Sequence, residues 1–75
     1  MEDRVKEIMG AVFEVDPTTI NETSSQDTIE NWDSIRHMSL VVALEEEFGV
    51  QLTDDQIADM QSYKLVLLTL QEAQA

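Results

Sequence analysis

Three residues in the stretch NWDSIRHMSL, residues 31–40, have side chains suited to chemistry: Asp33, Ser34 and His37. A serine hydroxyl becomes a nucleophile only when a base removes its proton. His37 lies three residues after Ser34, a spacing that makes two side chains neighbours on a helix. However, no acidic residue is evidently placed to orient the imidazole, and nothing in the chain supplies an oxyanion hole. A small hydrolase using Ser34 and His37 is therefore the weakest hypothesis, and we assign His37 no chemistry.

A different role for Ser34 is that of a serine modified by another enzyme. Such a serine needs exposure, a recognisable frame and a favourable place for the attached group. Ser34 is expected between Asp33 and Ile35, where a polar loop ends and a helix begins. A phosphate attached there would lie beside unpaired backbone N–H groups at the positive end of the helix dipole. On its own, an ordinary helix cap would explain the same residue.

Composition limits what the chain can be. A length of 75 residues predicts a single domain, residues 1–75, without room for a second core or a deep catalytic cleft. The 43% hydrophobic content is sufficient for a folded core. Sixteen acidic residues against four basic ones give a net charge of −12. Such a charge repels nucleic acids and anionic membrane surfaces and attracts basic patches on proteins.

Several site types are excluded by the residues that are missing. The chain has no cysteine, which leaves no thiolate nucleophile and no cysteine metal site. Calcium-binding loops starting at Asp27 or Asp33 would lack the required glycine and glutamate, so we predict no metal site. No stretch approaches the roughly 18 apolar residues of a membrane span. The start MEDRVKEIMG lacks a signal-peptide pattern, and we expect a cytoplasmic monomer.

Hydrophobic periodicity predicts an all-α fold, a small four-helix bundle with three main helices and one short one. The first helix should stop near Val15, because Pro17 disfavours helical geometry at Asp16. Its inner face comprises Val5, Ile8, Met9, Val12 and Phe13. Residues 16–33 then form a long polar loop between helices 1 and 2. Loops of this length are usually functional, and this one should be pinned by Ile20, Ile29 and Trp32.

The remaining helices are marked by their caps. The second should run from about Ser34 to Phe48, capped by Asp33 or Ser34 and ended by Gly49 in the left-handed conformation. Leu40, Leu44 and Phe48 should form its inner face, with Ile35, Met38 and Val42 on a strip beside it. The third, short helix begins at Thr53 with a capping box, TDDQ. Ser62 caps the last, whose run LVLLTL has no second strand to pair with; its inner face should comprise Tyr63, Val66, Leu67 and Leu70.

These features resemble the acyl carrier protein family. The triplet Asp33-Ser34-Ile35, followed by LVVALEEEFGVQLTDDQI, is similar to the family signature Asp-Ser-Leu that opens the second helix. The segment VFEVDPTTI resembles the end of the family's first helix and its following loop, and the last fourteen residues fit its fourth helix. The resemblance therefore spans the chain and implies a four-helix bundle with a long first loop.

The resemblance also implies a function. The serine matching Ser34 would receive 4′-phosphopantetheine from coenzyme A, transferred by a phosphopantetheinyl transferase, with Asp33 helping to present it. The thiol of this arm would bind acyl groups as thioesters, so the chain itself would be a carrier and not an enzyme. Its further partners would be acyl-transferring or acyl-activating enzymes with basic docking patches. The partner-binding residues would be Ile35, Arg36, Val42, Glu45, Glu46 and Glu47.

Arg36 departs from the pattern of many fatty-acid carriers, which place an acidic residue directly after the signature. A cation in the first turn of a helix is mildly unfavourable, by about 0.3–1 kcal/mol. The cargo pathway is therefore either fatty-acid synthesis or a specialised acyl-transfer or secondary-metabolite pathway. The alternative function, from a different class, is an acidic helical adaptor that binds a basic partner without a cofactor.

The net charge generates a stability prediction. Negative charges repel one another within the folded chain, and salt screens this repulsion over about 10 Å at 0.1 M. We expect moderate sodium chloride, or divalent cations near Glu45–Glu47 and Asp54–Asp55, to raise the melting temperature by a few degrees. Thermal unfolding followed by circular dichroism measures this effect. An unchanged or lower melting temperature would contradict it.

Overall fold

The computed structural model describes residues 2–74 and confirms the predicted all-α bundle. Helix α1 spans Glu2–Phe13, α2 spans Ser34–Phe48, α3 spans Asp54–Asp59 and α4 spans Tyr63–Gln74. The long loop between α1 and α2 contains one 3₁₀ turn, Pro17–Thr19. Helices α1 and α2 pack together, and the short α3 leads into α4.

Helix α1 ends two residues earlier than the predicted limit at Val15. Glu14 adopts a left-handed backbone conformation with φ of 57°, and the Val15 N–H donates to the Gly10 carbonyl at 3.0 Å. This six-to-one hydrogen bond is the pattern of a Schellman helix end, here with glutamate where glycine is usual. Pro17 is thus not the residue that ends the helix; it packs against Gly10 after the chain has turned.

Helix α2 has the predicted bounds, and its two ends show why. The Asp33 carboxylate accepts the Arg36 N–H at 2.8 Å, so Asp33 rather than Ser34 is the cap. At the other end Gly49 is left-handed, with φ of 64°, and the Val50 N–H donates to the Glu45 carbonyl at 3.2 Å. A glycine in this place costs no side-chain clash, which makes the helix end sharp.

The caps predicted for the last two helices are confirmed. Thr53 and Gln56 form a reciprocal capping box at the start of α3. The Ser62 hydroxyl accepts the Leu65 N–H at 3.2 Å and caps α4. The run LVLLTL lies within α4, so it is helical as predicted.

One hydrophobic core unites the helices and the loop. All three apolar loop residues predicted to pin the connection, Ile20, Ile29 and Trp32, are buried in it. The core's fully buried side chains are Val5, Met9, Phe13, Ile20, Leu40, Val41, Leu44, Met60, Val66 and Leu70. The loop also pairs with the junction before α4, where the Tyr63 N–H donates to the Ser24 carbonyl at 3.0 Å. The loop is therefore a packed part of the fold.

Gly10 yields a stability prediction. A Cβ atom at this position would lie 2.7 Å from Pro17 Cγ and 2.9 Å from the Val15 carbonyl oxygen. Alanine gains up to about 1 kcal/mol in helix propensity, but overpacking costs about 1–3 kcal/mol. We expect Gly10→Ala to lower the free energy of unfolding by about 1–2 kcal/mol in urea titrations. In a Pro17→Ala background the loss should shrink, because Cγ and Cδ are gone. A more stable Gly10→Ala variant would contradict the close packing.

Candidate functional site

Ser34 is the first residue of α2, and its side chain is exposed. The preceding Asp33 is in an extended conformation, with φ of −104° and ψ of −178°. Its carboxylate is held by the Arg36 N–H, and its carbonyl accepts the His37 N–H at 2.8 Å. The chain therefore enters the helix in a defined conformation, with Ser34 exposed.

A phosphate on Ser34 fits this helix end. Within residues 2–74, the backbone N–H groups of Ser34 and Ile35 have no acceptor, as expected for the first turn of a helix. These two donors and the positive end of the α2 dipole suit a negatively charged phosphate ester. The residues present are therefore compatible with a phosphopantetheine group joined through the serine oxygen.

Trp32 anchors the chain just before the site. Its side chain is 5% exposed, and its indole stacks on the Phe13 ring with centroids 4.8 Å apart and planes inclined by 27°. The indole N–H donates to His37 Nδ1 at 2.9 Å. The sequence indicated that Trp32 would pack, but this hydrogen bond was not predicted.

His37 was expected to be a surface residue without a role, and the structure gives it a structural one. Its Nε2 lies 2.8 Å from the Ile57 carbonyl oxygen of α3, so both ring nitrogens are engaged. The signal that could have suggested this is the spacing of Trp32 and His37, which flank the first turn of the helix as the residues of a hydrophobic staple do. Neither nitrogen is available to accept a proton from Ser34.

Arg36 reaches the end of α1. Its guanidinium donates to the Val12 carbonyl at 2.7 Å and lies 3.4 Å from the Glu14 carboxylate. A cation at the C-terminal end of a helix is favourable, so the predicted penalty in α2 is offset by a contact with α1. The side chain is turned toward the fold, and its predicted partner role stays a prediction.

Three of the predicted partner residues, Ile35, Val42 and Glu46, lie on one exposed face of α2 together with Met38. Ile35 is 80% exposed, Met38 50% and Val42 51%, and Glu46 borders a shallow groove together with Met38 and Val42. We call these four residues the α2 surface. Apolar side chains of this size are seldom so exposed together without a binding role. The predicted apolar strip is thus accessible, as a contact surface requires.

The two neighbouring glutamates make contacts within the fold. The Glu45 carboxylate accepts the Leu52 N–H at 2.9 Å and holds the segment that follows α2. The Glu47 carboxylate pairs with the Arg4 guanidinium at 2.6 Å, and this hydrogen bond lowers the pKa of Glu47. The sequence predicted one acidic run facing partners, whereas the structure gives each of the three glutamates a different environment.

A cleft beside Ser34 has a volume of about 410 Å³ and is lined by Gln26, Trp32, Asp33, Ser34, His37 and Met38. Residues 2–74 contain no group of ligating side chains that could hold a metal ion. Among the helices described, none is both long and apolar enough to cross a membrane.

Comparison with known proteins agrees with the fold and the site. Residues 3–66 match the family model of the phosphopantetheine attachment site. An acyl carrier protein from Thermosynechococcus vestitus (strain NIES-2133 / IAM M-273 / BP-1) is 34% identical over 65 residues, which cover 87% of this chain and 80% of that protein. The solution NMR structure of a holo acyl carrier protein from Geobacter metallireducens superposes with a TM-score of 0.85 at 22% identity. That match covers 97% of this chain and 84% of that one, and shows the shared fold.

The match to the family model covers most of the chain, and the relative from Thermosynechococcus shares about a third of the aligned residues over nearly the whole chain. The exposed serine at the start of α2 lies within the matched residues. The chain therefore belongs to the acyl carrier proteins, the family whose members have a phosphopantetheine attachment site.

Proposed function

We propose that Ser34 is the attachment point of the 4′-phosphopantetheine arm and that the chain delivers acyl thioesters to partner enzymes. The observation that supports this most directly is the exposed hydroxyl at the first residue of α2, beside two unpaired backbone N–H groups. The arm supplies the thiol that the chain lacks. The cargo belongs to fatty-acid synthesis or to a specialised acyl-transfer pathway, with the carrier acting as a cytoplasmic monomer.

The chain's own residues hold the attachment point rather than react. Asp33 fixes the first turn through its two hydrogen bonds, and we propose that it also presents Ser34 to the transferase. The two N–H groups of Ser34 and Ile35 orient the phosphate ester. Because both nitrogens of His37 are engaged, this histidine is not free to act as the base that would activate Ser34. This favours modification by a separate enzyme over the hydrolase hypothesis.

We propose the α2 surface as the partner-docking surface. It combines three exposed apolar side chains, Ile35, Met38 and Val42, with the carboxylate of Glu46, and it begins next to Ser34. Apolar contact supplies affinity, while the acidic charge attracts basic patches and speeds encounter. Glu45, Glu47 and Arg36 flank this surface and contribute to it through the contacts that shape α2.

The attachment site is tested by intact mass after incubation with coenzyme A and a broad-specificity phosphopantetheinyl transferase. We expect the wild-type chain to gain the mass of one phosphopantetheine and Ser34→Ala to gain none. Ser39→Ala is the matched control, because Ser39 is a second exposed serine on α2 and should not affect loading. If the wild-type chain stayed unmodified with several transferases, the adaptor without a cofactor would be favoured instead.

Glu46 and Glu45 provide a matched pair for the docking surface. Glu46→Ala should lower kcat/KM for loading about two- to fivefold at low salt, because one attractive charge is lost. Its free energy of unfolding should change by less than about 0.5 kcal/mol. Glu45→Ala should instead lower the free energy of unfolding by about 0.5–1.5 kcal/mol, since the Leu52 N–H loses its acceptor. Equal effects of the two substitutions on loading would contradict the assignment of partner attraction to Glu46 and of a structural hydrogen bond to Glu45.

A further inference from the structure

The hydrogen bonds of His37 define which of its ring nitrogens accepts and which donates. An indole N–H is a donor only, so His37 Nδ1 must accept from Trp32. A backbone carbonyl is an acceptor only, so Nε2 must donate to Ile57. Both contacts are satisfied together by one form of the ring, the neutral tautomer with the proton on Nε2. The arrangement therefore specifies a histidine in a way that an apolar residue of similar size cannot reproduce.

Trp32 and His37 lie on either side of the attachment point, Ser34, in the sequence. With Asp33 as the cap of α2, Trp32 is the residue before the cap and His37 is the fourth residue of the helix. These are the two positions that form a hydrophobic staple and set the direction in which the chain enters a helix. Here the two side chains are joined by a 2.9 Å hydrogen bond, and Ser34 lies between them in the sequence. We call this contact the Trp32–His37 staple.

The same imidazole binds the end of α3. Helix α3 has six residues, too few to be stable by itself. Thr53 and Gln56 cap its beginning, while the Ile57 carbonyl in its last turn accepts from His37 Nε2. Carbonyls in the last turn have no partner within their own helix. The Ile57 carbonyl also accepts the Met60 N–H, at the longer distance of 3.4 Å, so His37 adds from α2 a second and shorter hydrogen bond at the end of α3.

We propose that His37 is a positioning residue of the carrier. Through the Trp32–His37 staple and its hydrogen bond to Ile57, His37 links the orientation of Ser34 to the position of α3. The proposal rests on Ser34 being the attachment point. A partner that docks on the bundle then meets the serine, and any group bound to it, in one defined place. Trp32 stacks on Phe13, and its other ring neighbour is His37, whose imidazole stacks on the indole with centroids 6.1 Å apart. The hydrogen bonds of His37 add to this packing a defined orientation of Ser34.

The test compares His37→Phe with His37→Gln. Phenylalanine fills the space of the ring but neither accepts nor donates, whereas glutamine keeps one acceptor and donors. With transferase in excess, the single-turnover rate of Ser34 loading should fall about three- to tenfold in His37→Phe, as expected for loss of oriented hydrogen bonds. In His37→Gln it should stay within about twofold of the wild-type rate. Trp32→Phe should slow loading as His37→Phe does, and the double variant should be no slower than either.

A separate readout follows the staple itself. The chain has one tryptophan, so its indole N–H gives a single NMR signal. This proton should exchange with solvent at least about tenfold faster in His37→Phe than in the wild-type chain, because it loses its acceptor. Ser62→Ala is the control for lost stability, since it removes the cap of α4 without touching the staple. Its indole exchange and its loading rate should both stay at wild-type values when measured well below its melting temperature.

The outcomes separate this proposal from the function on which it rests. If the wild-type chain is not loaded at Ser34, the proposed function fails whatever His37 does. If the wild-type chain is loaded and His37→Phe is loaded at the same rate, His37 has no positioning role. Slower loading in His37→Phe and Ser62→Ala alike would also overturn it, because stability alone would then explain the effect. Slow loading confined to the Trp32 and His37 variants, with rescue by glutamine, supports the proposal.

Discussion

The stack of Trp32 on Phe13 is the contact on which the geometry of the site depends. It joins the last residue of α1 to the residue just before the cap of α2, with ring centroids 4.8 Å apart. Aromatic pairs of this kind contribute about 0.5–1.5 kcal/mol beyond the area they bury. While the Trp32 ring stacks on Phe13, its indole N–H donates to His37 Nδ1 at 2.9 Å. The exposed Ser34 therefore follows, two residues later, a side chain that is held on both sides by the fold.

Most of the basic side chains contact other residues of the fold, whereas many of the acidic side chains are exposed to solvent. Three of the four basic side chains make contacts within the structure: Arg4 with Glu47 and Glu7, Arg36 with Val12 and Glu14, and Lys6 with the Tyr63 ring. Exposed ion pairs of this kind contribute little to stability individually. These contacts place the basic groups next to neighbouring side chains of the same fold. The electrostatic potential at the surface is therefore dominated by the acidic residues. Such a field speeds encounters with basic partners without making the complexes long-lived.

The sequence was most informative where structure is determined locally. The bounds of α2, the capping box of α3 and the left-handed Gly49 all follow from residues within a few positions of one another. The end of α1 was misplaced because a glutamate took the left-handed position that glycine usually occupies. At the site, the exposed Ser34 and the apolar strip of α2 were predictable from periodicity. The contacts of Arg36, His37 and Glu45 were not, since their acceptors or donors lie 5 to 24 residues away along the chain.

The segment between α1 and α2 is tied at its base by two side chains. Asn31 Nδ2 donates to the Phe13 carbonyl at 2.7 Å, and Arg36 spans from α2 to Val12. The two ends of this loop are thus held together close to Ser34, while residues 21–23, at its tip, are exposed. The entropic cost of closing such a loop grows only with the logarithm of its length, about 0.6 kcal/mol for each doubling. Residues gained or lost at the tip would therefore change the outline of the protein on that side and leave the base, with Ser34, where it is. The fold separates a part of its surface that is free to diverge from a part that must stay fixed.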